Sequence, residues 1–262
     1  MSIVRNQYSE LKVIVTGVVG GIGSAVVKHL AEGGAGVAIV DRDGAAVDKL
    51  ASSIAKATGS KVIGLVADVT VAADVERYTQ EAVKHLGGLT GVYNNAGANG
   101  AIAEVTEYPD DVFDQLIAVN QRGVYLGIKY AARELKKFGG GAIVNTSSVA
   151  GLVAFSNMIG YVASKHAVVG LTRAAAFELG KYNIRVNAVC PAPIDTQLMR
   201  DVEIGFSKED PDAARRLFSA AIPLGRYGTT DEVADLVCFL LSDNARFISG
   251  AAIPVDGASV VD

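Results

Sequence analysis

The 262-residue sequence is poor in residues that build disulfide or metal frameworks: it holds two cysteines and three histidines. Cys190 and Cys238 are too far apart for a C-x-x-C pair and lie in apolar surroundings. They are expected to be small buried residues of a reduced compartment rather than redox or metal groups. His29, His85 and His166 show no ligand spacing of the H-E-x-x-H kind, so they are expected on the surface or in helix packing, and no metal site is expected. A surplus of positive charge is also missing. With 24 Lys and Arg against 28 Asp and Glu, the net charge is −4, which lacks the basic footprint that nucleic-acid binding uses. The segment Met1–Asn6 has no apolar signal core, and no apolar run approaches the ~18 residues of a membrane span. The expectation is a cytoplasmic protein with no membrane or nucleic-acid partner.

What is present is globular. Half the residues are hydrophobic and a fifth are charged, and a chain of this length buries roughly 70–75% of its extended surface, so its core needs no covalent staple. Short runs rich in Val and Ile end at Gly, Asp or Asn: Leu11–Thr16, Val37–Asp41, Lys61–Asp68, Gly91–Asn94, Ala142–Ser147, Ile184–Val189 and Ala251–Val255. Segments with apolar residues at helical spacing alternate with them, over 22–32, 44–57, 71–86, 110–138, 158–180 and 230–241. Nearly continuous apolar strands are covered on both faces, as in parallel sheets. The order predicts α/β architecture: a single-domain, doubly wound Rossmann-type sheet over 1–262, with about seven parallel strands and helices on both faces. The exception is a stretch over about 195–223, with helical pieces at best, which reads as a substrate-binding loop.

The first strand runs into Gly17-Val18-Val19-Gly20-Gly21-Ile22-Gly23 and then a helix. Glycine lets the backbone approach a dinucleotide pyrophosphate, and the helix N-terminus offers unpaired N–H groups to it. Gly17, Gly21, Ile22 and Gly23 are therefore candidate cofactor residues, although the G-x-x-x-G-x-G spacing differs from G-x-G-x-x-G. Asp41 ends the second strand, 24 residues after Gly17. A carboxylate there accepts from the ribose hydroxyls and repels a 2′-phosphate. Arg42 is a competing attraction for that phosphate, but Val18–Gly20 carries no basic residue, so NAD is expected over NADP.

Tyr161 and Lys165 lie four apart, on one face of a helix. An adjacent ammonium favours a phenolate, so this spacing suggests a tyrosine whose pKa is lowered. The order Thr16-Gly17…Gly21-Ile22-Gly23, Asp68-Val69, Asn94-Asn95-Ala96-Gly97, Asn120, Ser148, Tyr161…Lys165 and Pro191…Ile194…Thr196 resembles the short-chain dehydrogenase/reductase family over essentially the whole chain. Ser148 precedes Tyr161 by 13 residues, as in family members, and is preferred to Ser147 on that spacing. The resemblance implies Tyr161 as the acid/base for an alcohol or carbonyl oxygen. It implies Lys165 as the group that lowers its pKa and donates to the nicotinamide ribose, and Ser148 as a hydrogen-bond donor to the substrate oxygen. It assigns Asn120 a water in a proton relay, Asp68 and Val69 the adenine, Asn95, Ala96 and Gly97 the cofactor wall, and Pro191, Ile194 and Thr196 the nicotinamide side. Family members carry Gly where Ala192 stands between two prolines, which is expected to shift that loop slightly, and Gly where Ala258 stands, from which little is expected.

Candidate substrate walls are Ala98, Asn99, Ile102, Ala150, Leu152, Met158, Leu198, Met199, Val202 and Ile204. They are largely apolar, which suits a small ketone or secondary alcohol, cyclic or aryl, better than a sugar or an anion. Acyl-carrier ketoreductases, which the chain also resembles, place basic residues where Gly139 and Tyr182 stand. A 3-oxoacyl thioester or sugar ketoreductase, and a non-catalytic nicotinamide-binding sensor, are the competing readings. Small residues (Ala118, Gly123, Gly127; Ala167, Gly170, Ala174) on the fourth and fifth predicted helices suggest close helix approach. With the family's habit of pairing these helices, they imply a homotetramer.

Overall fold

Every strand marked by a Val/Ile run forms, and all seven join one parallel sheet. A computed structural model describes residues 7–261; the segment Met1–Asn6 lies outside them. The strands are β1 (Lys12–Thr16), β2 (Gly36–Asp41), β3 (Val62–Val66), β4 (Gly91–Asn94), β5 (Gly141–Thr146), β6 (Ile184–Pro191) and β7 (Ala252–Val255). Their order is β3-β2-β1-β4-β5-β6-β7, with register such as Ile14 opposite Ala38 and Val92. The order reverses between β1 and β4, and a parallel α/β sheet opens a crevice at that point, outside the strand C-termini.

The helices are α1 (Gly21–Glu32), α2 (Gly44–Thr58), α3 (Ala72–Leu86), α4 (Asp110–Ile117), α5 (Val124–Leu135), α6 (Ile159–Leu179), α7 (Gln197–Phe206), α8 (Pro211–Ala220) and α9 (Thr230–Leu241). Alternate strand residues feed two cores. Val13, Val15, Val37 and Ile39 pack against α1, α2 and α9, while Ile14, Val40, Val92 and Ile143 pack against α3, α5 and α6. Each such fully buried side chain contributes about 1.5–3 kcal/mol. Local chemistry sets the ends. Asp43 caps α2 by accepting from the Ala46 N–H, and the helix stops at left-handed Gly59. Thr229 and Glu232 form a capping box on α9.

The predicted helix over 110–138 is interrupted: residues Ala118–Gly123 make a π-helical turn between α4 and α5. The stretch after β6 is more ordered than expected, since it contains two ten-residue helices, α7 and α8. Their starts were legible locally, with Thr196 accepting from the Met199 N–H and Asp210 capping a helix with proline in its first turn. Ala258 sits at φ +72°, a conformation that costs an alanine roughly 1–2 kcal/mol and a glycine little. Something is therefore lost by alanine there. Ala192 avoids positive φ and its N–H donates to the Val255 carbonyl at 3.1 Å, so alanine fits at that position.

Candidate active site

At the β1/β4 crossover the chain stitches two loops together before any ligand is considered. Gly17 has φ +70°, and a Cβ there would lie 2.6 Å from Ala96 Cα, so glycine is required by the neighbouring backbone. Thr16 Oγ1 accepts from the N–H groups of Asn95 (3.1 Å) and Ala96 (3.2 Å). The Asn95 amide donates back to the carbonyls of Thr16 and Gly17. The glycine motif alone gives Thr16 no role, yet its hydroxyl anchors the second loop to the first. A Cβ on Gly23 would meet the Gly17 carbonyl at 2.2 Å.

These contacts aim the start of α1 into a cleft of about 520 Å³. Its N-cap is Gly20, at φ +93° and with no side-chain cap, and nothing lies within 4 Å of where a Cβ would sit. Uncapped N–H groups facing open space suit a pyrophosphate. At one end of the cleft Asp41 accepts from the N–H groups of Val19 (3.1 Å) and Arg42 (2.7 Å), which fixes a carboxylate able to accept from ribose hydroxyls as well. The residues present therefore fit a dinucleotide.

Gly17, Gly21, Ile22, Asp41, Asn95, Ala96, Gly97, Pro191, Ile194 and Thr196 all line this cleft. Gly23, Arg42, Asp68, Val69 and Asn120 do not. Arg42 is exposed. Asp68 is engaged locally, accepting from the N–H and hydroxyl of Thr70 at 2.8 Å, and Val69 packs beneath Gly123. Asn120, in the π-helical turn, is fully buried. Its amide donates to the Ala98 carbonyl and to Ser164 Oγ, and its Oδ1 accepts from the Ala98 N–H.

Ser148, Tyr161 and Lys165 share the cleft floor. Ser147 Oγ donates to the Lys165 carbonyl at 2.9 Å. The neighbouring Ser148 hydroxyl accepts from the Ala150 N–H and lies beside the Tyr161 phenol. Lys165 Nζ is 5.6 Å from the centre of the Tyr161 ring and donates to the Thr146 carbonyl at 2.9 Å. Burial brings the Lys165 pKa down to about 8. The expected lowering of Tyr161 is not found. Burial pushes the phenol up, and the Ser148 hydroxyl offsets only part of this, because desolvating a phenolate outweighs the nearby dipole.

The outer wall differs from expectation. Ala98, Asn99, Ala150, Met158, Leu198, Met199 and Val202 line it, but Ile102, Leu152 and Ile204 do not. Ile102 instead packs under Gly205. Three aromatic residues missing from the expectation do line it: Phe155, Phe206 and Phe218. Phe206 and Phe218 meet edge to face at 5.1 Å, joining α7 to α8. Apolar periodicity in a segment without a strand anchor gave no signal for which side faces a ligand.

No group of residues able to hold a metal occurs among the described residues. Cys190 and Cys238 are buried free thiols, as expected. His29 sits between Asp231 (3.2 Å) and Asp235 (3.4 Å), linking α1 to α9.

Residues 17–258 match the family described as enoyl-(acyl carrier protein) reductase. Levodione reductase of Leifsonia aquatica is 35% identical, covering 96% of this chain and 94% of that protein. Its crystal structure superimposes with a TM-score of 0.93, at 34% identity over 96% and 98% of the two chains. Cyclohexanol dehydrogenase of an Acinetobacter strain is 36% identical over 98% of this chain and 97% of its own length. A crystal structure of NAD+-bound xylitol dehydrogenase gives a TM-score of 0.93 at 32% identity, over 96% and 100%. Since sequence and fold agree over nearly the full length, and the glycine turn, serine, tyrosine and lysine converge on one cleft, the chain belongs to the short-chain dehydrogenase/reductase family.

Proposed function

We propose that this protein is an NAD-dependent oxidoreductase interconverting a secondary alcohol and a ketone, with a small apolar cyclic or aryl substrate. The observation that carries this reading is the convergence of Ser148, Tyr161 and Lys165 beneath an apolar wall, in the cleft that receives the uncapped end of α1. The dinucleotide, when bound, supplies the hydride exchange at the substrate carbon. Gly17, Gly21 and Ile22 would hold its pyrophosphate, Asp41 its adenosine ribose, and Asn95, Ala96, Gly97, Ile194 and Thr196 its nicotinamide half. Asp68 and Val69 sit outside the cleft, on the adenine side of that placement.

Tyr161 moves the proton. Its raised pKa keeps the phenol protonated at neutral pH, the state needed to donate to a carbonyl oxygen during reduction. Ser148 donates a second hydrogen bond to that oxygen and stabilises the charge that develops on it. Lys165, still mostly charged at pH 7, holds positive potential over the tyrosine ring and the ribose position. Asn120 fixes the Ala98 backbone and Ser164 beside the lysine, within reach of a relay water. Lys165 is the only basic side chain facing the cleft among its described lining residues, which disfavours anionic substrates. No basic residue stands at Gly139 or Tyr182 to receive an acidic carrier, which disfavours the thioester reading.

Reduction of NAD with a panel of cyclic and aryl secondary alcohols at alkaline pH tests the assignment. Turnover with apolar cyclic members and none with polyols is expected; no turnover with any member would leave a cofactor-binding sensor. Self-association belongs to the same proposal. Phe177 on α6 and Phe247 before β7 are fully exposed, and α6 presents Gly170 and Ala174 outward, a face suited to a second copy in a homotetramer. On the fourth predicted helix, by contrast, Gly123 and Gly127 face inward against Val69 and Asn94. No helix among the described residues is long and apolar enough to cross a membrane, in keeping with a cytoplasmic setting.

A further inference from the structure

The apolar stripe of α7, Leu198, Val202 and Phe206, forms part of the substrate wall. The flank of that stripe carries a carboxylate, Glu203, with no solvent exposure at all. A buried charge is costly unless it is paired and hydrogen-bonded, so its partners show what it is for. Glu203 Oε2 accepts from Arg200 Nη1 at 2.8 Å, and the same Nη1 reaches Asp212 Oδ1 of α8 at 2.7 Å. Arg215 of α8 donates to Asp195 at 2.9 Å, lies 3.8 Å from Glu203 Oε1, and stacks 4.7 Å from the centre of the Tyr227 ring.

Tyr227 belongs to the body of the protein. It precedes Gly228, which exchanges backbone hydrogen bonds with Pro193 and Asp195 across the cofactor-side loop. Glu203 Oε1 and Tyr227 Oη are both buried and neither has an aligned partner. Burial, with the Glu203 carboxylate beside it, pushes the phenol up and keeps it a donor. Tyr227 Oη and the Glu203 carboxylate thus lie beside each other, an unpaired donor next to an unpaired acceptor.

We propose that Glu203 is a positioning residue: with Arg200, Arg215 and Tyr227 it latches α7 and α8 over the cleft, and through Asp195 it ties that wall to the Ile194–Thr196 segment. This rests on the reading of the cleft as a ketone site, so one arm of the test is independent of turnover. Trypsin digestion of the full chain reads the latch directly, because Arg200, Arg215 and Arg216 lie within the two helices. Glu203→Gln and Asp212→Ala, the second removing the acceptor that Arg200 reaches on α8, are each expected to speed cleavage at Arg200, Arg215 and Arg216 by about fivefold or more, the effect of losing one net hydrogen bond, with other sites unchanged, Lys208 of the exposed linker included. In parallel, KM for an apolar cyclic ketone such as cyclohexanone should rise by a similar factor, while kcat and NADH affinity stay within about twofold, the signature of lost ground-state positioning. Should Glu203→Gln fail to fold, Asp212→Ala, which deletes an exposed acceptor of the same network, decides alone. Cleavage that is unchanged, or faster at all sites in proportion, overturns the latch. Absent turnover with altered local cleavage would overturn the ketone reading and leave the latch standing.

Discussion

Lys165 is held charged at neutral pH against the pull of its own burial, which lowers its pKa from 10.5 to about 8. Below pH 8 the folded protein must bury that charge. Between pH 8 and 10.5 the unfolded chain binds a proton at Lys165 that the folded chain has released, so this group's contribution to stability rises with pH across the window, while the raised thiols of Cys190 and Cys238 act in the opposite direction above pH 9. Lys165→Met should remove this contribution and stabilise the protein without its dinucleotide at pH 7 by on the order of 1–3 kcal/mol, more than at pH 10, while abolishing turnover. Calorimetry at pH 7 and pH 10 measures this. A lower Tm in the variant at pH 7 would mean that the bond to the Thr146 carbonyl outweighs desolvation. Tyr161→Phe, which deletes only the proton donor, should reduce kcat by about 10²–10⁴-fold and leave NADH binding nearly intact by fluorescence titration; near-normal rates would reassign the acid. Asp41→Ala should weaken NAD about 10–100-fold, the range for a hydrogen bond to a charged group, and narrow the gap to NADP. A titration with both dinucleotides showing an unchanged preference would shift that choice to Arg42 or elsewhere. Tyr161, Lys165 and Asp41 were legible in the sequence because their chemistry needs fixed spacings. Glu203 and Tyr227 were not, since a buried glutamate on a helix of unknown packing looks like any solvated one.

Among the elements, the joint between β4, β5 and their covering helices carries a polar ladder inside the core. The Asn94 amide donates to Asn145 Oδ1 at 2.8 Å, and the Asn145 amide donates to Thr172 Oγ1 of α6 at 2.9 Å. Gly127 of α5 makes room for it, because a Cβ there would lie 2.1 Å from Asn94 Oδ1. Gly127→Ala should therefore cost about 2–4 kcal/mol, combining overpacking with a strained buried hydrogen bond. Urea unfolding measures it, and a gain of up to about 1 kcal/mol from helix propensity would show instead that the ladder yields. Strands and capped helices could be drawn from the sequence because Val/Ile runs and residues such as Asp43 and Thr229 act locally. The π-helical turn at Ala118–Gly123 left no such trace: it follows from how Asn120 is held by Ala98 and Ser164, contacts between residues distant in the chain. The inward role of Gly127 was hidden for the same reason.

At the scale of the whole molecule, the exposed Phe177 and Phe247 place apolar surface where a monomer gains nothing from it. Light scattering should give about four times the 27.1 kDa of one chain, and a monomer would refute the tetramer. The seven strands and their doubly wound, parallel class were accessible from alternation, whereas the wall beyond β6 was not, because α7 and α8 have no strand to fix which side turns inward.

The reversal of strand order between β1 and β4 also divides labour. Asp41 ends β2 on one flank of the crossover, while Leu198, Val202 and Phe206 hang beyond β6 on the other. Which dinucleotide is accepted and which ketone is admitted are thus written in separate halves of the sheet. Redesign can revise one half without rewriting the other.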